Sequence, residues 1–169
     1  MGNKEDQTYF NSIILHEAGG HGWGQLADEY ILPENEGQTI PQDKVDELVK
    51  NQKEFNIFMN VTHDKNIVPW EDFIGRNGYG NVGLFEGGNY WPYGIWRCEE
   101  FNCMINNVHY YSAYCRYLQV KRIMDIAGED FNINKFIEKD KVKKPSSLTK
   151  SSLVLRDVEP LHKPIFIKE

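Results

Sequence analysis

His16-Glu17-Ala18-Gly19-Gly20-His21, running on through Gly22-Trp23-Gly24-Gln25-Leu26-Ala27-Asp28-Glu29-Tyr30, sets two imidazoles and a carboxylate in the order used where a metal ion activates water, but with the histidines five residues apart. Histidines four apart leave nearly one face of an α-helix, after about 400° of rotation; five apart they diverge by roughly 140° and cannot share one ion at a metal–nitrogen reach of about 2.0–2.1 Å. The extra residue has to be absorbed, and a single wide turn of the π-bulge kind does this. Gly19 and Gly20 fall inside that turn. Each glycine weakens a helix interior by roughly 1 kcal/mol relative to alanine, so regular helix is disfavoured there, and each lets the backbone approach a ligand closely. Outward from this turn, Phe10, Ile13, Ile14 and Ala18 make an apolar stripe, which predicts a helix over residues 9–20.

A catalytic zinc takes three protein ligands and leaves its fourth position to water. Asp28, seven residues after His21, is the first candidate for the third ligand. An unbroken helix would carry it about 10.5 Å along the axis, so the chain must turn, with Gly22 and Gly24 as the stop, since glycine accepts the left-handed conformation that closes a helix. Glu29 is the alternative ligand, and Glu29 or Tyr30 otherwise stands behind a ligand and orients it; for Asp28 the plain alternative is a helix cap or surface acid. Zinc brings the pKa of its water towards about 7 and polarises a carbonyl, while Glu17 is the general base that takes the water's proton and passes it to a leaving amine. Tyr90, Tyr110 and Tyr111 are candidates to donate to the oxyanion, within an aromatic-rich stretch from Tyr79 to Tyr114 whose rings more often pack or line a cleft.

The segment HEAGGHGWGQLADEY, residues 16–30, resembles the active-site segment of the immunoglobulin A peptidase family of zinc metallopeptidases, a metzincin-like group, in its Bacteroides-type form. A second block, residues 80–116, is similar in carrying Phe85-Glu86-Gly87, Tyr90, Gly94 and Arg97, Cys103-Met104 and Cys115-Arg116. The resemblance spans residues 9–125. It implies zinc as cofactor, His16 and His21 as ligands, Asp28 as the third, Glu17 as general base, and Met104 as the methionine of the turn beneath the metal. It also implies a protein or peptide substrate and an extracellular, periplasmic or cell-surface location. Two departures stand out: the family's commoner form spaces its histidines by four, and the metzincin third ligand normally falls six residues after the second histidine, where this chain has Ala27.

At 169 residues, with 40% hydrophobic residues, the chain has one domain's worth of material for a core. A net charge of −6 argues against a nucleic-acid surface, and the short basic run Lys139–Lys144 reads as a solvated linker. No apolar stretch reaches the ~18 residues of a membrane span, and the N-terminus lacks a signal's apolar region. The fold expected is α+β, mainly α with long irregular loops, with residues 1–144 as the catalytic subdomain and 145–169 as an extended tail. Because metzincin-like peptidases place a sheet before the active-site helix and only fifteen residues precede His16, the chain is expected to be that helix plus the C-terminal subdomain of a longer protein. Its uncovered face around Ile13–Leu15 is then expected to associate into a homodimer, with little activity from the fragment alone. A non-catalytic module binding peptides or glycans through its Tyr/Trp-rich loops is the alternative; an intact general base argues against it.

Elsewhere, Pro41 opens a helix to about Lys53. Residues 75–94, rich in glycine, read as an irregular loop walling the cleft. Val108, Tyr111, Cys115 and Leu118 step as a helix face to about Ala127, ended by Gly128. Ser152–Leu155 and Pro164–Lys168 alternate weakly, as short strands do. Cys98, Cys103 and Cys115 with His109 form a rival metal set without C-x-x-C spacing; one disulfide, Cys103–Cys115 or Cys98–Cys103, is the other alternative to buried thiols. His63 and His162 read as isolated histidines, and Asn60-Val61-Thr62 is a glycosylation sequon.

Overall fold

The computed structural model describes residues 10–141, which fold as α+β. The first helix, α1, is α-helical over residues 10–14 and then widens into a π-helix, Leu15–Trp23. The wide turn expected from the histidine spacing is there, and at nine residues it is longer than a single bulge. An i→i+5 ladder gives about one more residue to each turn, so residues five apart come round as residues four apart do in an α-helix. On the first turns Phe10 and Ile14 are exposed, while Ile13 and Leu15 are half-buried.

The helix stop differs from expectation. Gly24 is right-handed (φ −74°), and it is Gln25 that takes the left-handed conformation (φ 51°), its side-chain oxygen accepting from Arg122 at 2.7 Å. Gly24 is required for space instead: a Cβ there would lie 2.9 Å from the Gly20 carbonyl oxygen. The N–H groups of Gln25 and Leu26 then close on the carbonyls of His21 and Gly20.

Helix α2, Gln42–Phe55, follows Pro41 as expected and buries Leu48. Three strands, β1 (Val61–Thr62), β2 (Phe85–Gly88) and β3 (Trp91–Arg97), form an antiparallel sheet in the order β1-β3-β2. The reading of residues 75–94 as loop is thereby corrected: β2 and the start of β3 lie within it. Alternation was hidden because the pairing slips between Glu86 and Gly88 and because Gly87, Gly88 and Gly94, all at positive φ, carry no side chains to mark the period. The β2–β3 hairpin turns on Asn89 and Tyr90, both at positive φ (46° and 75°), the backbone of a type I′ turn without its usual glycine.

After the sheet come α3 (Cys103–Asn106), capped by Asn102, α4 (Ala113–Ala127), capped by Ser112 and ended at Gly128 (φ 70°), and α5 (Ile133–Lys139), capped by Asn132. Helix α4 starts at Ala113 rather than Val108, because the backbone of Tyr110 pairs with Val108 and Cys103 instead of continuing a helix. One core gathers Trp70, Phe73, Cys98, Tyr114 and Phe136 between the long loop and α4 and α5; a second joins Ala27, Ile40, Leu48, Val61 and Ile95; a small third, Leu26, Met104 and Cys115, underlies α1. No described helix is long and apolar enough to cross a membrane. The expected tail from residue 145, its two short strands and His162 lie outside the described residues.

Candidate metal centre

The π-helix turns His16 and His21 to one side, with their Nε2 atoms 3.2 Å apart. Each ring is fixed from behind: His16 Nδ1 donates to the Cys103 carbonyl and His21 Nδ1 to the Leu26 carbonyl, both at 2.8 Å. A carbonyl can only accept, so each Nδ1 carries a proton and each ring turns its Nε2 toward Asp28. Asp28 Oδ1 joins them, 2.9 Å from His16 Nε2 and 3.1 Å from His21 Nε2. Its second oxygen, Oδ2, accepts from the Tyr90 hydroxyl at 2.5 Å. Three possible ligand atoms thus converge in a buried corner, where a proton on Nε2 or a metal cation must lie between the rings and the carboxylate. His16, His21 and Asp28 are the residues here that could hold a metal ion.

The histidines bond Asp28 directly. Burial alone would raise the Asp28 carboxyl, but the hydrogen bonds of His16 and His21, the charge of His21 and the Tyr90 hydroxyl outweigh it and hold the group well below the usual carboxylate range. Burial would lower His21, yet Asp28, the Leu26 carbonyl and Glu17 raise it. Tyr90 is pushed well up by burial and by the Asp28 charge, so it stays a neutral donor. Its positive φ is a strained conformation for a bulky residue, maintained because its main chain bonds Tyr30 and Leu32 on the ligand-bearing segment.

Glu17 is half-buried beside the histidines, near enough for its charge to act on His21 and Tyr30, and its carboxylate has no hydrogen-bond partner among the described residues. Tyr30 is half-buried, its ring 6.4 Å from His16 and 5.4 Å from Tyr90. Met104 is fully buried under the π-helix, so close that a Cβ on Gly20 would collide with its Sδ; the Tyr111 hydroxyl similarly fills the space against Gly19 and donates to the Leu15 carbonyl.

Some sequence expectations are redirected. Glu29 does not face His16 and His21: it is buried on the other side of the segment, accepting from Asn60, Asn102 and Cys115. The Tyr110 hydroxyl is taken up by buried Glu99, Tyr111 braces α1, and Tyr90 holds Asp28, so each of these hydroxyls already has a protein acceptor. The three cysteines are buried free thiols, so neither disulfide forms, and they do not gather with exposed His109 into a metal-binding group. Burial pushes the Cys103 thiol up to about 12. His63 is half-buried. Asn60, the sequon residue, is 0% exposed with both amide atoms on the Ala27 backbone, which leaves no room for a glycan. Asn60 and Asn102 are the site-supporting residues that sequence reasoning missed; their type and spacing carried no signal.

Comparison with known proteins gave no match to a family model or to a curated protein.

The seat of Met104 yields a first expected result. Gly20→Ala should destabilise the protein by about 1–3 kcal/mol, the usual cost of an overpacked core, because Met104 is pinned at both ends, its N–H on Asn102 and its carbonyl on Glu29. Gly80→Ala, with nothing within 4 Å of its added Cβ, is the control and should stay within about 0.5 kcal/mol. Urea unfolding measures both; equal midpoints would show that Met104 yields freely.

Proposed function

We propose that this protein is a zinc-dependent endopeptidase acting on protein or peptide substrates, metzincin-like and of the immunoglobulin A peptidase type that its two sequence blocks resemble. The observation that carries the reading is the convergence of His16, His21 and Asp28 with a carboxylate, Glu17, that has no hydrogen-bond partner among the described residues. Atoms on one face of a tetrahedron about 2.0–2.1 Å from its centre lie about 3.3 Å apart. The 2.9–3.2 Å spacings here fit that face after a spread of a few tenths of an ångström. Two nitrogens and one carboxylate oxygen are a donor set that zinc accepts, and fixing both imidazoles through Nδ1 is the usual way proteins aim them.

Zinc bound there supplies an acidified water and a polarised carbonyl at neutral pH. The residues do the rest. Glu17 accepts the proton of water as its oxygen adds to the carbonyl carbon, then delivers that proton to the amide nitrogen, and the C–N bond breaks as the amine leaves. Asp28, with Oδ2 occupied by Tyr90, presents only Oδ1 to the ion. Met104 is then the methionine of the turn beneath the metal, packed against Gly20. An extracellular, periplasmic or cell-surface site of action belongs to the same proposal. A peptide- or glycan-binding module would have no use for a general base at this position.

Incubation with a peptide library and zinc, read by mass spectrometry, tests the reading. New termini should appear, vanish with a chelator and return with added zinc. Zinc binding without any cleavage would rule out the peptidase.

A further inference from the structure

The geometry points to Glu29, together with Asn60 and Asn102, as a buried hub that sets the spacing of Asp28 and His16, two of the three metal ligands; Glu29 is a positioning residue of the centre proposed above. The inference rests on the metal reading and adds a role to a residue that touches no ligand atom.

Glu29 is 1% exposed and joins three separate parts of the chain. Its Oε1 accepts from Asn60 Nδ2 at 2.8 Å and from the Cys115 thiol at 3.4 Å, and its Oε2 accepts from Asn102 Nδ2 at 2.7 Å. Neither asparagine can turn its amide over. Asn60 accepts from the Ala27 N–H at 2.7 Å and donates to the Ala27 carbonyl at 2.9 Å, so its oxygen and nitrogen are assigned by the backbone. Asn102 caps α3, its Oδ1 accepting from the Met104 N–H at 2.7 Å. Both Nδ2 groups are therefore aimed at one point that must accept twice, and a carboxylate meets that demand without turning a donor toward them. Burial raises the Glu29 carboxyl, and the Asn60 and Asn102 amides, the Arg97 guanidinium and the Cys115 thiol each act against it in favour of the carboxylate.

Each arm ends on a metal ligand. Asn60 clamps Ala27, the residue before Asp28. Asn102 starts the helix whose first residue, Cys103, holds His16 Nδ1 through its carbonyl. The Glu29 N–H donates to the Met104 carbonyl at 2.9 Å, tying the two arms together through the main chain. Fixing Glu29 thus fixes the distance between Asp28 Oδ1 and the His16 ring. Loss of the match at Glu29 lets that distance drift, and imperfect ligand placement lowers metal affinity.

The test uses Glu29→Gln, isosteric but bearing an amide donor that faces other donors, and the exchange Glu29→Gln/Asn102→Asp. In the exchange, the carboxylate introduced at position 102 still caps α3, now with a charge that a helix N-terminus favours, and its second oxygen accepts from the new amide at position 29. Zinc affinity is measured by competition with a chromophoric chelator, and ligand geometry by the visible absorption of the cobalt-loaded protein. Glu29→Gln should weaken zinc binding by about 10–100-fold and alter the cobalt bands, and the exchange should return both to near the parent. A purely structural Glu29 would lower stability without moving the cobalt spectrum. Unchanged affinity and spectrum in Glu29→Gln overturn the proposal; so does an exchange variant that binds zinc weakly or fails to fold. Should Glu29→Gln alone not fold, the exchange decides. Zinc binding by the parent without peptide cleavage removes the peptidase reading and leaves the hub standing, whereas a parent that binds no metal overturns both.

Discussion

The double substitution His16→Ala/His21→Ala is expected to take the metal content of the purified protein from about one zinc per chain to background. Two of three converging donors disappear, and the carboxylate oxygen that remains is one monodentate ligand, already sharing its group with the Tyr90 hydroxyl. Elemental analysis after dialysis measures the ratio. A second consequence follows from linkage: a ligand that binds the folded state at 100 times its Kd stabilises by about 2.7 kcal/mol. Chelator should therefore lower the melting temperature of the parent and leave that of the double variant where it was. Equal zinc in parent and variant would place the metal elsewhere and end the reading of His16, His21 and Asp28 as its site.

Glu17→Gln is expected to reduce peptide hydrolysis at least ~10²-fold, the lower end of what a positioned general base contributes, with zinc content and fold retained. The amide matches the carboxylate in shape but cannot take up the proton of water. Because the Glu17 carboxylate makes no hydrogen bond to a described residue and the amide keeps its shape, the replacement breaks no hydrogen bond among those residues, and the melting temperature should move by less than the effect of a buried change. Comparison of kcat/KM with zinc stoichiometry on one preparation separates the two roles. A variant that cleaves as fast as the parent would show that another group takes the proton.

What could be read from the chain alone is what depends on short sequence distance. Histidines five apart with two glycines between them demand a widened helix, and α1 widens over Leu15–Trp23. Proline before α2 and glycine after α4 are a local start and stop, and they fall where the turns need them. The choice between Asp28 and Glu29 was not local. The two are adjacent acids on an extended segment, where successive side chains point to opposite faces, so either could meet the histidines until the fold says which face lies over them. That face is set by contacts across the chain: Asn60 to Ala27, 33 residues on, and Asn102 to Glu29, 73 residues away. The same holds for Met104 beneath Gly20, for Tyr90 on Asp28, for the three thiols that stay unpaired, and for the β2–β3 hairpin, whose glycines erase the alternation that marks a strand. Sequence by itself determined which side chains are competent to bind a metal and how the helix must bend to aim two of them. Tertiary structure alone decided which acid completes the set and what holds it there, because a hydrogen bond between distant segments leaves no periodicity in either one.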